Sequence, residues 1–374
     1  LHMKILLATM SFDIGGVETH ILELAQGLKA AGFKPVVASN GGIFEKDLKK
    51  LNIKHYKVPL HNKNFINIWK SYWLLKKIIE KEGFDIVHAH ARIPAFILGI
   101  LRKHIEFSFV TSVHAPYNTA MLYKLNSNWG EASLTVSDDL KKYLVENYKF
   151  APTNIIVTIN GISTSKFRAN INIDNIKKEF NINTSKKIIG HVSRLDKDRS
   201  LAAKQLVNIA KTIYKKYPNT QIVIVGDGDE YEMIKNKAEK VNDELGINYV
   251  VMTGPRADIN KFTAISDIFV GVSRAALEAM SAECPCILAG NEGYIGIFSK
   301  EKLESAIGSN FTCRGEQKST QKLLIKDIIK LLNTDEAKLE KLGAYGREII
   351  KEHYSVERMT QDNIKLYKKV LRKV

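Results

Sequence analysis

The sequence predicts an α/β protein built from two doubly wound domains, and three observations carry that expectation. Short apolar runs ending in polar or glycine-rich turns alternate along the chain with segments of helical period. The alternation runs twice, before and after a polar, Asn- and Lys-rich stretch over residues 170–185, and the link between domains is expected there or just before it. At 374 residues the chain is long enough for two domains with a core each. Successive βα units build parallel sheets whose ligands lie beyond the carboxyl ends of the strands.

The first strand, over residues 3–9, leads to Gly15-Gly16-Val17-Glu18-Thr19-His20 and a helix over 17–31 with Ile21, Leu22, Leu24, Ala25 and Leu28 on one face. A glycine pair that opens a helix leaves N–H groups free for an anion and lets a ligand approach the backbone. A tight βα turn without a ligand would read the same way. Strand 34–39, the turn Asn40-Gly41-Gly42, a helix over 44–51 and strand 54–58 continue the alternation. The helix that begins at Phe65 and ends at Lys81 has two faces. Leu74, Leu75, Ile78 and Ile79 are expected in the core, whereas Phe65, Trp69, Tyr72 and Trp73 alternate with Lys70, Lys76 and Lys77. Such a helix is either a core helix with a rim of snorkelling lysines or one that lies on a membrane surface.

Strand 85–90 ends in His88 and His90, helix 94–101 follows, and strand 107–113 ends at His114. A histidine at such a strand end lines a cleft or simply caps the strand. Strand 132–136 ends at Ser137-Asp138-Asp139, an N-cap signature for helix 140–148. Strand 155–159 closes this half at Asn160-Gly161-Ile162.

The second half opens on strand 188–192 and the turn Ser193-Arg194-Leu195-Asp196-Lys197-Asp198-Arg199-Ser200, then a helix whose Leu201, Ala202, Leu206, Ile209, Ala210 and Ile213 fall near helical spacing. Beyond a strand end, Arg194 and Arg199 offer paired guanidinium forks that suit a diphosphate; two surface arginines are the plain alternative. Strand 221–225 ends at Gly226-Asp227-Gly228, helix 231–244 follows, and strand 249–253 ends at Gly254-Pro255-Arg256. A helix over 259–265 and strand 268–272 lead to Ser273-Arg274-Ala275-Ala276-Leu277-Glu278-Ala279-Met280. Strand 286–289 ends at Gly290, and residues 334–374 are helical and basic.

Composition narrows the class. Hydrophobic content of 45% and charged content of 26% are those of a soluble globular chain. Leu1-His2 ahead of Met3 read as a cloning remnant. Asp13 interrupts the first apolar run, and no run approaches the roughly 18 apolar residues of a membrane span. Neither a signal peptide nor a spanning helix is therefore expected, and cytoplasm is the expected location. Cys284, Cys286 and Cys313 are odd in number and lack metal-ligand spacing, which points to reduced, buried thiols. The net charge of +16 is spread over both halves, so no basic tail for nucleic acid stands out. Solvated lysine faces, an anionic substrate and an anionic membrane surface are the readings left.

Taken together, these motifs resemble the family 4 retaining glycosyltransferases (glycosyl transferases group 1) of the GT-B fold, nearly end to end and in order. Gly15-Gly16-Val17-Glu18 resembles the family's opening Gly-Gly-x-Glu loop, and Gly190 to Leu195 its Gly-Arg-Leu turn. The strand ends at His88 and His90, Ser137 and Asn160, the turns at Gly226, Gly228 and Gly254, and Leu277-Glu278-Ala279-Met280 before Pro285 complete the series.

The resemblance implies a Rossmann-like acceptor domain over 3–165, a Rossmann-like nucleotide-sugar domain over 166–350, and a helix over 351–374 packing back on the first, with the two domains facing across a cleft. By position, Arg194 and Arg199 would neutralise the departing diphosphate, where charge develops, and His114 would sit near the transferred sugar. Gly15 and Gly16 would add backbone N–H groups. Ser273, Arg274 and Ala275 would present a helix N-terminus to phosphate, and Glu278 would accept from ribose hydroxyls. The base would lie against Gly254 to Arg256, with Gly226 in the neighbouring turn; His88, His90 and Ser137 fall on the acceptor side. A metal-independent transfer with retention and no cofactor is implied, from a UDP-sugar by preference to a glycan or lipid-linked acceptor in cell-surface polysaccharide or glycolipid synthesis. The protein would then work in the cytoplasm, at the inner membrane face if the Phe65 to Lys81 helix docks there.

Two departures from the family pattern matter. Arg199 stands where lysine is usual, and Ser200 where glycine follows it. Val270 stands where a second glutamate is common, and Ser273-Arg274 replaces part of a Glu-Gly-Phe-Gly-like loop, so Arg274 is expected to face phosphates or an acidic sugar. Two alternatives stay open: a nucleotide-sugar epimerase of the same fold, for which Asp138 and Asp139 are the acidic pair at a strand end, and a non-catalytic nucleotide-sugar-binding protein.

Overall fold

The computed structural model describes residues 3–13, 15–117, 119–120, 124 and 127–372. The chain divides into two compact units, Leu1–Gly161 with Val356–Val374, and Ile162–Ser355.

In the first unit, β1 (Lys4–Ala8), β2 (Lys34–Ser39), β3 (Lys54–Lys57), β4 (Ile86–Ala89), β5 (Ser108–Val113), β6 (Ala132–Thr135) and β7 (Ile155–Val157) pair in parallel in the order β3-β2-β1-β4-β5-β6-β7. Its helices are α1 (Gly16–Ala30), α2 (Glu45–Lys50), α3 (Phe65–Glu82), α4 (Arg92–Leu101), α5 (Asp138–Tyr148) and the final helix, α14 (Val356–Leu371). The period of two along a strand sorts β1 between two apolar layers. Ile5 and Leu7 pack with Ile21, Leu24 and Leu28 of α1 and with Met359, Leu366 and Tyr367 of α14. Leu6 and Ala8 face the opposite layer, with Leu75, Ile78 and Ile79 of α3 and Ile97 and Leu98 of α4. Strands covered on both faces read as continuous apolar runs, which is why the sequence locates them.

In the second unit, β8 (Lys187–Val192), β9 (Thr220–Val225), β10 (Val250–Met252), β11 (Ile268–Gly271), β12 (Cys286–Gly290) and β13 (Gly293–Ile297) follow the order β10-β9-β8-β11-β12-β13. Its helices are α6 (Asp174–Phe180), α7 (Leu201–Lys216), α8 (Tyr231–Leu245), α9 (Ile259–Ile265), α10 (Ser273–Ser281), α11 (Leu303–Gly308), α12 (Gln321–Leu332) and α13 (Glu336–Ile349). Ile189, Ile222 and Ile224 pack with Leu206 and Ile213 of α7 and with Leu324 and Ile328 of α12. Ile188, Val223 and Val225 face Ile176 of α6 and Phe262 of α9. In both sheets the order reverses beside the first strand of the unit, between β1 and β4 and between β8 and β11. Those are the switch points where doubly wound sheets hold ligands.

Three elements differ from the sequence reading. Residues 170–185, read as polar and as holding or following the link, contain α6, and Ile176 and Ile182 are buried in the second unit; the polar outer face of a short helix hides its single apolar stripe. β13, which the sequence reading does not anticipate, pairs antiparallel with β12 across the two-residue turn Asn291-Glu292, a hairpin signal lost in a series read as parallel. Leu74, expected in the core, is 41% exposed. The inner stripe of α3 is Ser71, Leu75, Ile78 and Ile79, and Leu74 falls beside it. All three cysteines are free and buried, as expected.

Candidate active site

Beyond β8, the turn from Ser193 to Ser200 is held from beneath by the backbone. Ser193 N–H donates to Val225 O at 3.1 Å, Leu195 N–H to Asp227 O at 2.9 Å and Glu230 N–H to Leu195 O at 2.8 Å. Gly226 and Gly228 make that approach possible. They sit at φ +142° and +157°, and a Cβ on Gly226 would lie 1.8 Å from Ser193 O. Packing beneath the arginine turn therefore explains the glycine turn after β9.

Arg194 at the tip of this turn is exposed, and no described side chain occupies its guanidinium. Arg199 bonds Asp196 Oδ2 at 3.1 Å with half of its side chain in solvent. The start of α7 is fastened by Asn291, whose Oδ1 accepts from Leu201 N–H at 3.0 Å and whose Nδ2 donates to Lys197 O at 3.0 Å. Lys204 pairs with Glu230 at 2.5 Å, and Ser200 Oγ–H donates to the same carboxylate. These two partners, Lys204 foremost, hold Glu230 below the usual carboxylate range.

Across the switch point, β11 runs into α10 with Val272 as an N-cap that offers no side-chain bond. Ser273 has φ +55°, a left-handed conformation that costs a non-glycine residue about 1–2 kcal/mol. Its N–H donates to Phe311 O at 2.6 Å. Ala275 is half-buried in the same first turn. Arg274 Nε donates to Glu278 Oε1 at 2.8 Å, one turn along the helix. Burial raises the Glu278 carboxyl, and the Arg274 and Lys166 charges oppose that rise. Val270, where the resemblance has a glutamate, lies inside β11 with its side chain in the apolar core. Gly254, at φ +73°, accepts from Gly226 N–H at 3.0 Å and so joins two glycine turns. Arg256 directs its donors to Asp258 and, through both terminal nitrogens, to Glu179, with its guanidinium over the Phe180 and Phe262 rings.

His191 ties the two sides of the switch point together. Its Nδ1–H donates to Val270 O at 2.7 Å, and its Nε2 accepts from the Ser193 hydroxyl at 2.8 Å. A carbonyl can only accept, so the proton sits on Nδ1. Burial lowers this imidazole to about 4, against the pull of the Val270 carbonyl. The unfolded chain would titrate near 6.5. The stability this group contributes is therefore complete above about pH 6.5 and is lost progressively as the pH falls toward about 4. By pH 5 the loss is about 2 kcal/mol. Urea unfolding of wild type and His191→Gln at pH 7 and pH 5 should show a fall smaller by about that amount in the variant.

In the first unit, Gly15 is an extended N-cap at φ −168°, ψ 164°, and Gly16 is exposed. Neither glycine is demanded by backbone conformation. A Cβ on Gly15 would meet Glu18 Oε2 at 2.2 Å, whereas one on Gly16 would meet nothing within 4 Å. Glu18 folds over the start of its own helix. Burial is the main cause of its raised pKa and Asp13 adds to it, while its own N–H and the Ser11 hydroxyl act the other way.

Four histidines gather near the ends of β4 and β5. His88 is wholly buried, with Nδ1 2.8 Å from Tyr367 Oη and Nε2 2.8 Å from Ser112 Oγ. It fastens α14 to the sheet, and burial lowers it to about 3. His90 Nδ1 lies 3.3 Å from His114 Nε2, and the His20 and His114 ring centroids are 4.7 Å apart. Burial lowers His90 well below its ordinary value and His114 to about 4. His20 Nδ1 lies 3.0 Å from Asn160 Oδ1. One ring nitrogen from each of His20, His90 and His114 lies within 4.8 Å of the other two. Spacing along the chain does not group these histidines. These three meet because β1, β4 and β5 are neighbours and bring their ends together. Ser137, half-buried, caps α5 by accepting from Leu140 N–H at 3.3 Å.

The sequence reading assigned no role to His20, Asn160, His191, Asn291 or Glu230. His191 had a visible signal, one imidazole inside an apolar strand; the others acquire meaning only from partners distant in sequence. A cavity of about 780 Å³ lined by Tyr294, Lys326, Lys330, Lys341 and Tyr345 lies elsewhere in the second unit and includes none of these residues.

Comparison with known proteins bears on the family and the fold. The Glycosyltransferase Family 4 model matches residues 14–166, and the Glycosyl transferases group 1 model matches residues 172–349. The UDP-Gal:alpha-D-GlcNAc-diphosphoundecaprenol alpha-1,3-galactosyltransferase of Escherichia coli is 25% identical over 266 residues, covering 65% of this chain and 67% of that one. The alpha-monoglucosyldiacylglycerol synthase of Acholeplasma laidlawii is 22% identical over 316 residues, covering 74% and 77%. Among solved structures, a glycosyltransferase from Rickettsia africae matches with TM-score 0.76 at 23% identity, over 100% of this chain and 99% of that one. Anabaena HepE in complex with UDP matches with TM-score 0.70 at 16% identity, over 98% and 100%. The structural likenesses establish the fold, and the two family models cover both halves of the chain in order. This chain belongs to the family 4-type glycosyltransferases of the GT-B fold and is a glycosyltransferase.

Proposed function

We propose that the enzyme moves a sugar from a UDP-sugar to a glycan or lipid-linked acceptor, with retention at the anomeric carbon, in the synthesis of a cell-surface polysaccharide or glycolipid. The second unit holds the donor and the first unit the acceptor. Arg194 carries the reading: a guanidinium without a partner among the described residues, on a turn fastened at a switch point. As the bond from the anomeric carbon to the diphosphate oxygen breaks, negative charge grows on the departing diphosphate. A cation already in place stabilises that charge without reorganising. Arg199 joins it at little cost, since an exposed pair such as Arg199–Asp196 is worth at most about 1 kcal/mol. The uncapped N-terminus of α10 offers further donors, and Arg274 orients Glu278 for the ribose. UDP is favoured because the Escherichia coli relative is named for UDP-Gal and HepE binds UDP.

The test is a thermal-shift screen against UDP-, GDP- and ADP-sugars. A ligand that binds only the native state at 100 times its Kd adds about 2.7 kcal/mol, and only the UDP series should do so. Release of an epimerised nucleotide sugar in the absence of acceptor would overturn transfer in favour of the epimerase reading.

A membrane-facing acceptor is supported by α3. Phe65 is 81% exposed, Trp69 58% and Trp73 50%, with Ile66 and Leu74 also in solvent and Lys76 Nζ 5.4 Å from the Trp73 ring. No helix among the described residues is long and apolar enough to cross a membrane. An aromatic face edged by lysines lies in the plane of an anionic surface instead. Co-sedimentation with anionic but not neutral liposomes, reduced by Trp69→Ala with Trp73→Ala, is expected; equal binding to both lipids sinks the idea.

A further inference from the structure

We propose that His20, His90 and His114 form a three-imidazole site for a divalent transition metal, zinc foremost, with a fourth position open to water or an incoming ligand. Three neutral imidazoles make a donor set suited to Zn²⁺, Cu²⁺ or Ni²⁺ and poorly suited to Mg²⁺ or Ca²⁺. Two nitrogens on a tetrahedral zinc at about 2.05 Å lie about 3.3 Å apart. His90 Nδ1 and His114 Nε2 are 3.3 Å apart. One ring nitrogen from each of the three histidines lies within 4.8 Å of the other two, close enough for side-chain adjustment to bring all three onto one ion.

One further observation points to an occupant. Metal-bound histidines hand their second ring N–H to an oxygen that fixes the tautomer. Asn160 Oδ1, 3.0 Å from His20 Nδ1, is such an oxygen. Three imidazoles packed this closely are explained if a cation joins them. The rings come from the start of α1 and from the ends of β4 and β5, so the site lies at the mouth of the first unit's sheet rather than in its core.

Occupancy bears on activity because His114 is the residue placed beside the transferred sugar; a metal there holds that imidazole and inhibits transfer. This inhibitory half rests on the glycosyl-transfer reading, and the binding itself does not. The experiment takes the full chain, dialysed against chelator, and titrates it with Co²⁺ followed by visible absorption and with Zn²⁺ in competition with a chromophoric chelator. We expect one ion per chain, with the intense Co²⁺ bands of a four-coordinate site. Affinity should fall by about 100-fold in His90→Gln and in His20→Ala and be unchanged in His61→Ala, an exposed histidine elsewhere in the unit. Matched unfolding midpoints for the variants exclude misfolding as the cause. Equal affinity in His90→Gln, His20→Ala and wild type, or binding weaker than about millimolar, overturns the site and leaves adventitious surface histidines. Zinc that binds as described yet leaves turnover untouched overturns the inhibitory half alone.

Discussion

Arg194→Ala is expected to lower kcat by about 10²–10³-fold, a loss of about 2.7–4 kcal/mol of transition-state stabilisation, the amount typical of one preorganised charge-stabilising group. The unfolding midpoint should stay close to that of wild type, because the side chain is exposed and bonds no described residue. Those two results together distinguish a catalytic cation from a structural one. Arg194→Lys should recover part of the loss, since it keeps the charge and gives up the planar fork. Steady-state kinetics with a UDP-sugar and urea unfolding on the same preparations decide it. An unchanged kcat would remove Arg194 from the mechanism and return it to the solvated surface.

Gly226→Ala should damage both stability and turnover. A Cβ there would sit 1.8 Å from Ser193 O, a backbone atom that cannot swing aside, at a φ of +142° that alanine avoids. Relief requires the turn carrying Arg194 to move away from the turn after β9, at a cost of about 2–4 kcal/mol. Gly16→Ala is the contrast. Its Cβ meets nothing within 4 Å, so stability should change by no more than about 0.5 kcal/mol. If Gly16 lets a ligand approach the backbone, turnover falls all the same. A Gly226→Ala protein with the wild-type midpoint would show that the two turns are not packed as described.

The strands were legible because helices cover both faces of each sheet and force apolar residues along their whole length. Strand Lys34–Ser39 and helix Ile259–Ile265 fall on the residues expected from the pattern. Elements without such a signal escaped it: α6 buries one side chain of a polar segment, and β13 hides behind a two-residue turn. Individual side chains were harder to place. Arg256 reads as a cleft arginine beyond a strand end, yet its donors go to Glu179 and Asp258. His88 and His90, two residues apart, have different surroundings: the first is saturated by Tyr367 and Ser112, the second lies against His114 with one nitrogen unpartnered among the described residues.

By itself the amino-acid sequence determined the class of fold, the order of its elements, the glycine turns at strand ends and the family resemblance, because each of these is written in local periodicity and short motifs. Only the tertiary structure decided which polar groups meet. His20, His90 and His114 are separated by 70 and 24 positions along the chain, and they converge because β1, β4 and β5 are adjacent in the sheet. Gly226 owes its necessity to Ser193, on a neighbouring strand end. Strand pairing is long-range, and local pattern does not encode which strand ends become neighbours. The chemistry of the site depends on those neighbours.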